Sequence, residues 1–331
     1  KSEGIRRDVR LGKVRFESQY IAIQYFYKNK GWSIRWMCEQ LGITRAAYYK
    51  WLHRDIPEAE QENILIAQLV RDYDDRFNHI LGYRRMTLYI NRLNNKQYGK
   101  NRIHRIMKGL NIHSVIRRKR KKYQSSTPET TADNLLNRNF YAPGPNQKWS
   151  TDVTEFKWYE GPVVHKLYLS VILDLYDLYP VAWVVSNRND NKLVLDTFAQ
   201  AILNNPDAKP IFHSDRGFQY TSKVFQRKLQ EQGMQQSMSR VGHCIDNGPT
   251  ENFWSIVKSE MYYLNTFTDE TSLRKAIADY MTFYSTERMQ ERFKGKTPAE
   301  VRAEAVATDT PAQYPIPENK RIQKYKARYA A

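Results

Sequence analysis

Apolar positions recur at helical spacing from Tyr20 to Asn29 and stop at Gly31. Ser33 is placed to cap a second helix through Ile34, Met37, Cys38 and Leu41, which Gly42 ends. Thr44 can cap a third, Arg45 to Leu52. Helix, Leu-Gly-Ile turn and capped helix form a helix-turn-helix pattern that would offer Arg45, Tyr49 and Lys50 to a DNA major groove. An amphipathic stretch from Asn63 to Tyr73 follows, then a helix from Arg84 to Leu93 after Gly82, and one from Arg102 to Lys108 with Asn101 as its cap. Arg102 and Arg105, three apart, are expected on one side of the last helix.

The periodicity changes after residue 147. Trp149 to Trp158, His165 to Leu175 and Pro180 to Val185 read as strands rich in β-branched and aromatic residues, with Gly161-Pro162 turning the chain. A helix from Lys192 to Leu203, a buried strand from Pro210 to Ser214, a Ser222-capped helix to Glu231 and a strand from Met234 to Met238 follow. The polar stretch from Ser239 to Gly248 reads as a loop, and helices are expected from Pro249 to Leu264 and from Ser272 to Ser285. A three-strand meander followed by alternating helices and strands gives an α/β class with a mixed five-stranded sheet and flanking helices, preceded by all-α modules. The expected segments are a helical region at 1–56, a second at 57–123, a Ser/Thr/Pro/Asn-rich linker at 124–146, an α/β core at 147–290, and a short helix with a basic tail at 291–331.

Charge sharpens this division. The net formal charge is +18. Residues 1–123 hold 28 Lys and Arg against 11 Asp and Glu, a net of +17, and the remainder is nearly balanced. Such an asymmetric basic block faces a polyanion, with nucleic acid the first candidate. Arg84, Arg85, Arg102 and Arg105 belong to it, as does the run Arg117-Arg118-Lys119-Arg120-Lys121-Lys122, which suits a phosphate backbone. Two distant cysteines, Cys38 and Cys244, without metal-ligand spacing, suit a reduced cytosolic protein. No apolar run approaches the ~20 residues of a membrane span. The chain starts at Lys1, consistent with a missing upstream segment.

Three acidic residues stand out by position. Asp152 lies inside a strand, where Asp is depleted. Asp215 ends a short strand, where α/β sheets place ligands. Glu251 falls in the first turn of a helix, 35 residues beyond Asp215. Such hard oxygen donors suit Mg²⁺ or Mn²⁺, and two ions ~3.5–4 Å apart can stabilise both the attacking and the leaving oxygens of phosphodiester chemistry. Taken singly, each acid has a bland alternative: a buried hydrogen-bonded Asp, or a Glu complementing a helix dipole. Asp174 and Asp177 are weaker candidates, for which hydrogen bonding is the expected role. Asp246 and Asn247 are expected to cap the helix of Glu251.

The stretches His213 to Tyr220, Asp246 to Ser255, Lys258-Ser259-Glu260, Trp149 to Thr154, Tyr284 to Arg288 and Lys296 to Glu300 resemble a DDE transposase of the IS-three insertion-sequence family, within the retroviral-integrase superfamily. Gly82-Tyr83-Arg84-Arg85 and Met107 to Leu110 resemble that family's helical DNA-binding region, so the likeness spans roughly residues 60 to 305. Phe218 departs from it, since a small residue often follows the glycine. The resemblance implies a ribonuclease-H-like core in which Asp152, Asp215 and Glu251 are catalytic and hold two Mg²⁺ ions, with Mn²⁺ as a substitute. It implies a basic residue seven after the Glu, the place of Lys258, two turns along one helix face with Ser255 between, and both are read as DNA contacts. It further implies cleavage at the ends of an insertion sequence and joining of the 3′-hydroxyls to DNA. The partners are then double-stranded DNA, as terminal inverted repeats and target, and further copies of the chain. A copy-out, paste-in route and an upstream reading frame are also implied. A structure-selective nuclease or resolvase with the same core, and a non-catalytic helix-turn-helix regulator, remain alternatives.

Overall fold

The computed structural model describes residues 16–116, 134–136, 139–239 and 247–316. The run Arg117 to Lys122, Asp246 and the tail from Lys320 lie outside the described residues. The chain divides into two compact units, Lys1–Val115 and Ile116–Ala331.

In the first unit, α1 (Glu17–Lys30), α2 (Ile34–Gln40) and α3 (Arg45–Leu52) enclose a small core of Tyr20, Ile23, Met37, Cys38, Ile43 and Tyr48. Ser33 and Thr44 cap α2 and α3 as expected, accepting from the Trp36 and Ala47 amides. Gly31 and Gly42 take left-handed φ values of 66° and 64°, which a Cβ would strain. The same unit contains α4 (Glu58–Arg76), α5 (Tyr83–Leu93) and α6 (Lys100–Gly109), whose buried side chains include Val70, Met86, Ile90, Ile103 and Ile106. Arg54 joins the two helical groups through Glu17 on α1 and Glu60 on α4. Helix α6 starts a residue or two earlier than expected. Gly99 is its N-cap and Asn101 lies inside it, because a glycine N-cap is tolerated almost as well as a polar one.

The second unit is built on one sheet in the order β3-β2-β1-β4-β5. Strands β1 (Lys148–Glu160), β2 (Val163–Asp174) and β3 (Pro180–Ser186) form the antiparallel meander, while β4 (Ile211–Ser214) and β5 (Gln235–Met238) add in parallel beyond β1. Helices α7 (Asn191–Asn204), α8 (Phe218–Thr221) and α9 (Lys223–Glu231) alternate with them, and α10 (Gly248–Glu260), α11 (Glu270–Thr286) and α12 (Pro298–Val306) follow. The α/β expectation, a mixed five-stranded sheet with flanking helices behind an all-α region, is what the chain adopts.

Alternation along the strands splits the core in two. Phe156, Leu167, Leu169 and Val171 pack with Phe253, Trp254 and Val257 of α10 and with Leu273, Ile277 and Tyr284 of α11. Trp149, Ile172 and Phe212 pack on the other face with Val194 and Phe198 of α7 and Phe225 and Leu229 of α9. The helix expected to run to Leu264 ends at Glu260; Met261 leaves helical geometry (φ −126°) and Tyr262–Leu264 forms a 3₁₀ turn. Stacking of Tyr262 on Phe267 and its edge contact with Phe156 bury these aromatics in a way the longer helix would not.

Two ion-pair clusters lock the unit. Arg288, after α11, donates to both oxygens of buried Glu260 at 2.9 and 2.8 Å, and Tyr280 donates to the same carboxylate. Arg302 on α12 donates to Asp174 (2.6 Å) and Asp177 (2.9 Å), which also accept from the Asn146, Tyr176 and Tyr179 amides. Asp174 and Asp177 are thus structural, as the sequence suggested. Thr297 and Glu300 form a capping box on α12.

Candidate active site

Strand register brings the first two acids together. Trp149 and Ser150 of β1 pair with Phe212 and His213 of β4. Because the strands run parallel, Asp152, two residues past Ser150, and Asp215, two residues past His213, lie at the same end of the paired stretch. Alternation puts Ser150, Asp152 and Phe156 on the face covered by α10, because Trp149 and Phe212 point to the opposite face. Asp215 follows the last residue of β4 and closes a local turn in which the Gly217 amide donates to its Oδ1 at 2.9 Å. A Cβ on Gly217 would lie 3.0 Å from that oxygen and 2.9 Å from the Gln219 side chain, so an added methyl would press on both side chains.

Glu251 comes from the first turn of α10, whose start is pinned to β1. Ser150 Oγ donates to Asn247 Oδ1 (2.8 Å) and shares a 2.7 Å hydrogen bond with Thr250 Oγ1. Asn247 is the N-cap residue, yet its side chain makes no capping bond, contrary to expectation; it is spent on this tether to the strand. Trp254, one turn after Glu251, donates its indole N–H to Asp152 Oδ2 at 3.1 Å, and the Val153 amide donates to Oδ1 at 2.7 Å. Trp254 is the residue that sequence reasoning missed. Its place on the buried face of α10 gave it a packing role and no hint that its ring edge reaches Asp152.

The electrostatics show that the acids share one environment. Burial, and then the charge of Asp215, push the Asp152 carboxyl up to about 7; the Val153 and Trp254 donors work against this, and Glu251 adds to it. Burial also raises Asp215, opposed by the Gly217 amide. Burial and the same two aspartates raise the phenol of fully buried Tyr220, whose hydroxyl lies 3.2 Å from Thr151 Oγ1. Crowded buried carboxylates that offer hard oxygens are a donor set fitted to divalent ions. The site is open. Among the described residues only Asp74, Asp75 and His79 bring three donor atoms within 4.8 Å of one another, so the acidic triad is spaced more widely than that.

The other expected residues fall as follows. Ser255 is exposed on α10 and Lys258 is partly buried, its ammonium 5.5 Å from the Phe156 ring centre. Arg45, Tyr49 and Lys50 are exposed on α3. Arg84 and Arg105 are exposed, whereas Arg85 donates to the Ile80 carbonyl. The Arg102 side chain turns to α4, donating to Glu62 (2.8 Å), Asn63 (2.8 Å) and the Ala59 carbonyl (2.9 Å), whereas Arg105 is exposed. The exposed stripe of α6 is instead Asn101, His104, Arg105 and Lys108.

The comparisons agree with this architecture. Residues 142–244 and 251–305 each match an integrase core domain, and residues 60–120 match an HTH-like domain. The chain is 39% identical over 222 residues to the putative transposase InsK for insertion sequence element IS150 of Escherichia coli (strain K12), covering 67% of this chain and 77% of that protein. It is 28% identical over 262 residues to the transposase InsF for insertion sequence IS3A of the same organism, covering 75% of this chain and 86% of the relative. A solved structure of the HTLV-2 integrase catalytic core domain in complex with magnesium is 22% identical, with a TM-score of 0.38 over 48% of this chain and 97% of that one. A helical HTH-like region and an integrase core define the class as integrase-core DNA recombinases. Within it, the chain belongs to the insertion-sequence transposases of the IS-three type.

Proposed function

We propose that this transposase cuts the ends of its insertion sequence and joins the freed 3′-hydroxyls to DNA at Asp152, Asp215 and Glu251. The observation that carries the reading is the convergence of the three acids, from a strand, a strand end and a helix start, on one electrostatic environment. These carboxylates would hold two divalent ions, Mg²⁺ or Mn²⁺, which supply Lewis-acid stabilisation of the charge on the attacking and leaving oxygens. Asp152, influenced by both other acids, has the central place among them.

The chain's own part is positioning. The Gly217 amide fixes the Asp215 carboxyl, and the Ser150, Asn247 and Thr250 tether fixes the start of the Glu251 helix. Lys258, two turns beyond Glu251, and Ser255 between them would hold a DNA phosphate near the reacting bond. Arg45, Tyr49 and Lys50 on α3, and Arg84 and Arg105 in the second helical group, present exposed donors for double-stranded DNA. The partners in this reading are the terminal inverted repeats, target DNA and further copies of the chain. The helical groups are the DNA-binding modules, and residues 147–290 are the catalytic core.

Strand transfer with end oligonucleotides and Mg²⁺ tests the reading. Asp152→Asn, Asp215→Asn and Glu251→Gln should each abolish joined product while leaving DNA binding in place. Joined product from all three variants would remove the site assignment, and hydrolysed product alone from the parent would remove the joining step.

A further inference from the structure

We infer that Trp254 is a positioning residue for Asp152, orienting its carboxylate for a cation through the indole N–H. The inference rests on the reading of Asp152 as a metal-holding group and adds the residue that sets its geometry. Each oxygen of Asp152 accepts one donor: Oδ1 takes the Val153 amide at 2.7 Å and Oδ2 takes Trp254 Nε1 at 3.1 Å. A carboxylate has about four acceptor sites, so both oxygens keep capacity for a cation while the plane of the group is fixed.

The amide comes from Asp152's own strand and turns with it. Trp254 comes from another element and is the donor that relates Asp152 to Glu251, which lies three residues earlier on the same helix. One hydrogen bond therefore sets the orientation of one acid and its distance from another.

Packing alone does not explain the tryptophan. Its ring is 7% exposed in the apolar layer between α10 and β1, with Phe253 at 5.1 Å, and phenylalanine would fill most of that space. What phenylalanine lacks is the N–H aimed at the carboxylate. Docking of α10 on β1 has a separate tether, since Ser150 bonds to Asn247 and Thr250 at the helix start. Loss of the indole donor therefore leaves the helix seated and frees the carboxylate to rotate.

The test measures Mn²⁺ binding to the full chain by calorimetry, beside strand transfer at limiting and saturating Mn²⁺ and thermal unfolding in chelator. Trp254→Phe should weaken Mn²⁺ about tenfold, within the range usual for partners that orient metal ligands. Joined product should fall at limiting Mn²⁺ and recover at saturation, with the metal-free unfolding midpoint unchanged. Trp254→Met, also without a donor, should behave alike, whereas Trp254→Gln, whose amide can reach the same oxygen, should bind Mn²⁺ more tightly than either. Parental affinity in both donor-less variants, or equal weakening in all three, overturns the inference. Asp152→Asn is the reference. If it binds Mn²⁺ as the parent does, Asp152 as ligand is what fails, whatever the Trp254 variants show.

Discussion

Asp152 carries opposite consequences for stability and for chemistry. Its carboxyl is raised from 3.8 to about 7 by burial and by neighbouring acids. Between these values the folded chain keeps a proton that the unfolded chain releases, so this group's contribution to stability falls as pH rises through that window and the loss is complete above it. In chelator, Asp152→Asn should therefore unfold at a higher temperature than the parent at pH 8, with the advantage shrinking toward pH 4. An unchanged midpoint at pH 8 would contradict the strain assigned to the cluster. Gly217 is constrained at the same scale. Gly217→Ala presses a methyl on the Asp215 carboxyl, which must give by a few tenths of an ångström, and should lower strand transfer by less than the ~10²-fold that follows a 1 Å misplacement. Its DNA affinity should be parental, which a gel-shift titration checks.

Among the elements, α10 and α11 are joined by a buried charge. Arg288 donates to both oxygens of Glu260, and both side chains are at least nine-tenths buried. Glu260→Ala leaves the guanidinium without its counter-charge and should cost about 3–5 kcal/mol in denaturant unfolding. A loss under about 1 kcal/mol, the range of exposed pairs, would show that water reaches the pair. The element α6 is divided by role. Arg102 braces it to α4, while Asn101, His104, Arg105 and Lys108 form its exposed stripe. Arg105→Ala and Lys108→Ala should weaken DNA binding with no change in thermal midpoint, and Arg102→Ala should lower the midpoint. The reverse pattern would return Arg102 to the DNA-facing side.

Over the whole molecule, charge and chemistry are partitioned. Nearly all the excess of +18 lies in the first 123 residues, and the three acids proposed as the site lie in the remainder. Binding driven by that excess releases counterions. Affinity for end DNA should thus fall steeply with salt, on the order of 10³-fold between 50 and 200 mM if about six phosphates are neutralised. A shallow salt slope in fluorescence anisotropy would shift the recognition energy away from the basic region. Among the described residues no helix is long and apolar enough to cross a membrane.

The sequence alone determined most of the elements and marked the candidate acids. Capping residues placed the starts of α2 and α3 to the residue, since Ser33 and Thr44 act within their own turn. The motif around Asp215 and the spacing to Glu251 marked the acids, because short-range turn chemistry leaves a local trace. Other outcomes needed the tertiary structure: Asn247 tethering β1 instead of capping its helix, Arg102 turning toward Glu62 and Asn63, the end of α10 at Glu260, and the indole of Trp254 reaching Asp152. Each depends on a partner tens of residues or more away, or on aromatic packing around Met261. Propensity and periodicity are blind to such pairs, because they describe one segment and not what lies across from it in the fold.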